Sequence, residues 1–126
     1  MKKLITCLLV VLGLTSACGQ KNFEDVDVAG FAELIADTSV IVLDVRTAEE
    51  YGEGHIERAI NIDVKKDTFL QNAKSTLPTD KTIAVYCRGG RRSANACSKL
   101  SAEGYKCVNL MGGITDWKKE NKPIVK

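Results

Sequence analysis

Three short apolar runs that do not alternate constrain this chain more than anything else in it. They are Val40-Ile41-Val42-Leu43, Thr82-Ile83-Ala84-Val85-Tyr86 and Cys107-Val108-Asn109-Leu110. Successive side chains of a strand face opposite ways, so a continuous apolar run belongs to a strand covered on both faces. Ala59-Ile60-Asn61-Ile62 reads as a fourth, shorter strand. Between these runs the period changes. Phe31, Leu34 and Ile35 follow Val28 at i, i+3, i+4 spacing, and Ala96, Cys97 and Leu100 repeat that spacing on the segment 92–103. The second segment ends at Gly104, where glycine takes the positive φ of a helix terminus cheaply. Strands alternating with helices predict an α/β domain with a central, mostly parallel sheet flanked by helices.

A length of 126 residues suits one such domain. The hydrophobic fraction of 44% is enough for a core and excludes a disordered tail. A net charge of +2 gives no case for a nucleic-acid partner, and a single histidine excludes a His-rich metal site.

The first eighteen residues read differently. Lys2-Lys3 precede an apolar run from Leu4 to Leu14, and Thr15-Ser16-Ala17-Cys18 follows. The run is shorter than the ~20 residues a membrane-spanning helix needs and fits the ~7–15 of a signal-peptide core. The four residues that end it resemble a bacterial lipoprotein box, which predicts a leader over 1–17, acylation of Cys18 and a lipid anchor to a membrane. Ordinary cleavage near Ala17, with Cys18 left as a free thiol, is the competing reading. Residues 18–22 are then a short tether and 23–126 the globular domain. Loss of the leader removes two lysines and no acid, so basic and acidic residues balance in the mature chain.

The chemistry concentrates in Tyr86-Cys87-Arg88-Gly89-Gly90-Arg91-Arg92-Ser93. This stretch follows a strand and opens a helix, which places Cys87 at the carboxyl edge of the sheet, where open α/β folds bind ligands. Gly89 and Gly90 let backbone N–H groups turn inward around one point, and the helix start aims its positive end there. Arg88, Arg91 and Arg92 add charge. Together these features favour the Cys87 thiolate and a small anion above it.

On these residues the sequence resembles the rhodanese family of sulfurtransferase domains. The resemblance runs from Phe23 to Val125 and has three parts. The upstream part is Leu43-Asp44-Val45-Arg46, Glu49-Glu50-Tyr51, Gly54-His55-Ile56 and Ala59-Ile60-Asn61-Ile62. The central part is the loop Cys87 to Ser93. The closing part is Gly104-Tyr105, Val108, Leu110, Gly112-Gly113-Ile114 and Trp117. The resemblance implies that Cys87 carries a persulfide and that Arg88, Gly89, Gly90, Arg91 and Arg92 complete the substrate site. It further implies a small sulfur donor such as thiosulfate or a persulfide, a thiol or cyanide as acceptor, and no metal or organic cofactor. Many family loops carry serine or threonine where Gly89 stands, so a hydroxyl donor is missing at that point, while Arg91 shifts the expected preference towards anionic donors.

Other residues take supporting roles. Asp44 and Arg46 follow a strand near the same edge and hold the loop arginines, shape substrate access or form a plain surface ion pair. His55 lies in a turn and is read as structural, since a thiolate already favoured needs no base. Cys97 falls on an apolar helix stripe and Cys107 in a strand, so both read as core residues. Cys97 is also too far along its helix, at roughly 8–10 Å, for an unstrained disulfide with Cys87. Two rival functions follow from the same loop. A cysteine phosphatase needs five residues between cysteine and arginine, and only Arg88 to Arg91 separate Cys87 from Arg92. A non-enzymatic, membrane-tethered sulfur carrier or interaction module would keep the same cysteine and differ in turnover.

Overall fold

The computed structural model describes residues 22–126. The leader over 1–17, Cys18 and the tether as far as Lys21 lie outside the described residues. In chain order the elements begin with β1 (Glu24–Val26), α1 (Val28–Ile35), β2 (Ile41–Asp44), α2 (Ala48–Glu53) and β3 (Ile60–Asn61). They continue with α3 (Phe69–Thr76), β4 (Thr82–Tyr86), α4 (Arg91–Ser101), β5 (Lys106–Leu110) and α5 (Gly113–Lys119). The strands form one sheet in the order β1-β5-β4-β2-β3, and every neighbouring pair is parallel.

The four apolar runs are strands β2, β3, β4 and β5, with ends within a residue of those read from the sequence. β1 has no such run. It is an edge strand whose Glu24, Asp25 and Val26 pair with Val108, Asn109 and Leu110 of β5. The unalternating pattern has the expected cause, because the sheet is covered on both sides. Leu43, Ile83 and Val85 face Phe69 and Ala73 of α3 and Ala96, Cys97 and Leu100 of α4. Val42, Ala84 and Tyr86 face Val28 and Phe31 of α1 and Ile114 and Trp117 of α5. Phe31 meets the rings of Tyr86 and Trp117 edge-on, at centroid distances of 6.3 and 6.0 Å. Truncating this fully buried ring would cost about 3–5 kcal/mol. Tyr105 and Trp117 are buried with their polar atoms satisfied: Tyr105 Oη donates to the Leu77 carbonyl, and Trp117 Nε1 to that of Pro123.

Local signals set the helix starts. The Asp27 carboxylate accepts from Gly30 N–H at the head of α1. Thr47 and Glu50 form a reciprocal capping box at the head of α2. Because all strands run the same way, β2, β4 and β5 end at one edge, with Asp44 beside Tyr86 in register. The segments that leave that edge build the site.

Candidate active site

Cys87 is the first residue beyond β4, and its backbone turns immediately into the loop that caps α4. Gly90 closes the turn with φ at +103°, a conformation other residues adopt only with strain. A Cβ there would also lie 3.1 Å from the Gly112 nitrogen. This turn brings the Gly90 N–H to 3.1 Å from Cys87 Sγ. Ser93, in the first turn of α4 and fully buried, donates its hydroxyl to the same sulfur at 3.3 Å. Burial pushes the Cys87 thiol up. The Ser93 hydroxyl and the N–H groups of Ser93, Gly90 and Gly89 outweigh burial, and the thiol lies below its ordinary value.

Ser93 therefore supplies the hydroxyl that the sequence comparison at position 89 finds missing. Its sequence signal is a serine six residues after Cys87, in the first turn of α4, where the side chain reaches back to the loop. The arginines divide their work. Arg92 donates from Nη1 and Nη2 to the two carboxylate oxygens of Glu50, at 2.9 and 3.0 Å. Glu50 is the capping-box residue of α2, so this bidentate pair ties the two helix starts together across the site. The Arg92 guanidinium holds the Glu50 carboxyl at about 2, well below the usual range. Its charge is thus shared with α2 rather than given wholly to the loop. Arg88 and Arg91 stand exposed. Arg88 lines a cleft of about 420 Å³ with Arg46, Glu50, Ile114 and Lys118.

The outer side of the loop is held by α5. Ile114 N–H donates to the Cys87 carbonyl at 2.9 Å, and Thr115 N–H to that of Arg88 at 3.1 Å. Gly113, at φ +59°, lies so close that a Cβ would stand 2.3 Å from the Arg88 oxygen. The loop's first carbonyls therefore face α5, while its N–H groups face the sulfur. Asn109 of β5 adds a side-chain contact, donating to Asp25 at 2.9 Å and to the Gly90 carbonyl at 3.4 Å.

Asp44 and Arg46 form neither a surface pair nor a clasp on the loop arginines. They are 0% and 5% exposed, and Arg46 Nη2 lies 2.6 Å from the Asp44 carboxylate. The same nitrogen donates to the Gly54 carbonyl at 2.7 Å, and the guanidinium stands 5.7 Å over the Tyr86 ring. The pair ties the end of β2 to the turn after α2, and Arg46 still borders the cleft beside Arg88. Burial acts to lower the Arg46 pKa, but Asp44 more than offsets it, so Arg46 stays charged. His55 stacks on Tyr51 with ring centroids 3.7 Å apart and engages the Tyr51 carbonyl through Nδ1 at 2.9 Å. Cys97 and Cys107 sit in the core, where each meets the other. The neighbouring Cys107 sulfur and burial together push the Cys97 thiol up, which keeps it protonated and a poor nucleophile.

The site is thus a cysteine at the edge of a parallel sheet, with N–H and hydroxyl donors around its sulfur and its thiol held below the ordinary value. The chain belongs to the rhodanese-like domain family, whose profile matches residues 27–120. It is 37% identical over 103 residues to the putative sulfurtransferase YtwF of Bacillus subtilis, covering 81% of this chain and 97% of that one. It is 40% identical over 76 residues to the thiosulfate sulfurtransferase PspE of Escherichia coli, covering 59% of this chain and 70% of that one. A crystal structure of a rhodanese-related protein from Thermoplasma volcanium superposes with a TM-score of 0.72 at 36% identity, over 82% of this chain and 98% of that one. Relatives named sulfurtransferases support a transferase.

Proposed function

We propose that the protein moves sulfane sulfur from thiosulfate or a similar donor to a thiophilic acceptor through a persulfide on Cys87. One observation carries the reading: the Cys87 sulfur accepts hydrogen bonds from Gly90 N–H and Ser93 Oγ, and its pKa is lowered despite burial. The relatives named sulfurtransferases, one of them for thiosulfate, support the same chemistry.

In the first step the Cys87 thiolate attacks the outer sulfur of thiosulfate. A bond forms between the two sulfurs, and the donor's S–S bond breaks. Sulfite leaves with the bonding pair and needs no proton from the protein. The persulfide anion inherits the hydrogen-bond donors that served the thiolate, so the ring is preorganised for the charge at each stage. In the second step an acceptor thiolate or cyanide takes the outer sulfur and Cys87 leaves again as a thiolate. Splitting one transfer into two displacements is the usual gain of covalent catalysis.

The leader and Cys18 add a location to this reading: export, followed by lipid attachment that holds the domain at a membrane with its site in the aqueous space. The support is the order of Lys2-Lys3, the short apolar run and the box ending at Cys18.

Intact-protein mass before and after thiosulfate treatment tests the chemistry. The protein should gain the mass of one sulfur atom, lose it to cyanide as thiocyanate, and repeat the cycle. Thiocyanate production undiminished in Cys87→Ala would overturn the reading. A single loading without turnover would favour a sulfur carrier.

A further inference from the structure

We propose that Cys97 and Cys107 form a second thiol site, apart from Cys87, which a hydroperoxide oxidises to a disulfide and a dithiol reduces again. The site is independent of the sulfur-transfer reading, which leaves both of these sulfurs without a task.

The two sulfurs are placed together by the fold. Cys97 lies on the buried stripe of α4 and Cys107 in β5, and both belong to the cluster packed between that helix and the sheet. Their side chains meet as a hydrogen-bonded pair. Ser101 stands one turn after Cys97 on the same face of α4. Its hydroxyl lies between the Asn22 carbonyl, at 3.1 Å, and the Cys107 sulfur, so its one proton can turn to the sulfur when that sulfur is charged. A disulfide needs its sulfurs about 2 Å apart, and a pair already in contact reaches that by a small side-chain movement. Cys87 is held away in its own ring of donors, from Gly90 and Ser93.

The two thiols are not equivalent. Cys97 donates to the Cys107 sulfur and, with Ser101, outweighs burial, so the Cys107 thiol lies below its ordinary value. Cys97 is pushed the other way by the same contact. That division is the one a redox pair uses, with a thiolate to attack the oxidant and a protonated neighbour to resolve the product.

Access favours Cys107 as well. It lines a cavity of about 450 Å³ with Asn22, Phe23, Glu24 and Lys106. The residue is only 3% exposed, so the oxidant must be small. Hydrogen peroxide meets that condition, and a bulky disulfide does not.

In the first step the Cys107 thiolate attacks one peroxide oxygen. An S–O bond forms, the O–O bond breaks, and the departing hydroxide takes a proton from solvent to become water. The Cys107 sulfenic acid carries no charge, which removes the contact that held Cys97 protonated. The Cys97 sulfur then attacks that of Cys107. An S–S bond forms, the S–O bond breaks, and hydroxide leaves with the Cys97 proton as a second water. The two thiols give up two electrons and the peroxide takes them. The product joins α4, which carries Ser93, to β5, which carries Asn109. Both touch the Cys87 loop, so oxidation fixes the frame of the site without occupying its cysteine.

The experiment uses the reduced full-length protein. It is treated with hydrogen peroxide, its remaining thiols are blocked with iodoacetamide, and it is digested with trypsin without reductant. Cleavage after Arg92, Lys99, Lys106 and Lys118 puts Cys97 and Cys107 in separate peptides, 93–99 and 107–118. Mass spectrometry should find these two joined by a disulfide after peroxide, and find the link lost after dithiothreitol. Cys97→Ser should lose the link and leave Cys107 as a sulfenic acid that dimedone labels, whereas Cys107→Ser should leave Cys97 as a thiol. Both peptides alkylated under peroxide that has fully oxidised Cys87, or either one linked to the Cys87 peptide instead, would overturn the proposal. This mapping of the unmutated protein decides the matter even where a serine variant fails to fold.

Discussion

Removing the Ser93 hydroxyl tests the electrostatics of the site most directly. In Ser93→Ala the backbone stays and one donor to Cys87 Sγ, at 3.3 Å, is lost. A hydrogen bond to a charged group contributes roughly 1.5–3 kcal/mol. Sulfur is a diffuse acceptor and three N–H donors remain, so the lower end applies. Since one pKa unit corresponds to about 1.4 kcal/mol, the Cys87 pKa should rise by about one unit. Below both midpoints the thiolate fraction then falls about tenfold. A more basic thiolate is also a better nucleophile, with a Brønsted slope of about 0.4–0.5, which restores about threefold. The net loss in the loading rate is therefore about three- to fourfold below both midpoints, and above them it should turn into a gain of about threefold. Thiolate absorbance against pH measures the first quantity, and stopped-flow loading measures the second. Stability should respond with a matching sign. A folded-state pKa below the unfolded one contributes stability that is present above the unfolded value and lost as pH falls through the folded value. The variant should therefore lose most, relative to wild type, above about pH 8.5. A Cys87 midpoint unmoved by Ser93→Ala would refute the reasoning.

Glu50→Gln should loosen the joint between α2 and α4. The shift from 4.5 to about 2 sets a ceiling of about 3 kcal/mol, which solvent access to both side chains reduces to about 1–2 kcal/mol. Because the folded pKa is depressed, urea unfolding should show the full deficit above about pH 4.5 and its disappearance as pH falls through about 2. Arg88→Ala should weaken anionic donors more than neutral persulfide donors, by about 1 kcal/mol for so exposed a cation, read as kcat/KM; equal losses would make Arg88 a support for the loop. Cys18→Ser should release the protein to the soluble fraction and abolish fatty-acid labelling while sulfur transfer continues. One acyl chain binds a membrane with only ~10⁴ M⁻¹, so the anchor requires two or more.

The sheet was legible because Val42 and Leu43 in β2, and Ile83 and Ala84 in β4, put apolar side chains on both faces of their strands, and only a doubly covered sheet demands that. β1 escaped because Glu24 and Asp25 obey the needs of an exposed edge, and its existence depends on pairing with β5. Helix α2 carries Thr47 and Glu50 as a capping box but buries none of its own residues, so it lacks an apolar stripe. At the site, the Cys87 loop was readable as a local pattern of glycines and charges. The partners of that pattern were not. Glu50 meets Arg92 across 42 positions of sequence, and neither residue signals the other. Asp44 and Arg46 show the same limit: their spacing suits a surface pair, and only the packing of Tyr86 and Gly54 around them makes the pair buried.

The contact of Gly113 against the Cys87–Arg88 backbone has a consequence for anyone moving this chemistry to another scaffold. The Cys87 loop is half of a clasp whose other half lies beyond a helix and a strand. A graft of 87–93 alone would bring the inward donors without the groups that keep the carbonyls turned out, and the peptide planes would be free to rotate and point oxygen at the sulfur. Such a graft would hold its cysteine as a thiol. A working transplant must carry 112–115 as a second insert and preserve the β4–β5 spacing that sets the two halves face to face.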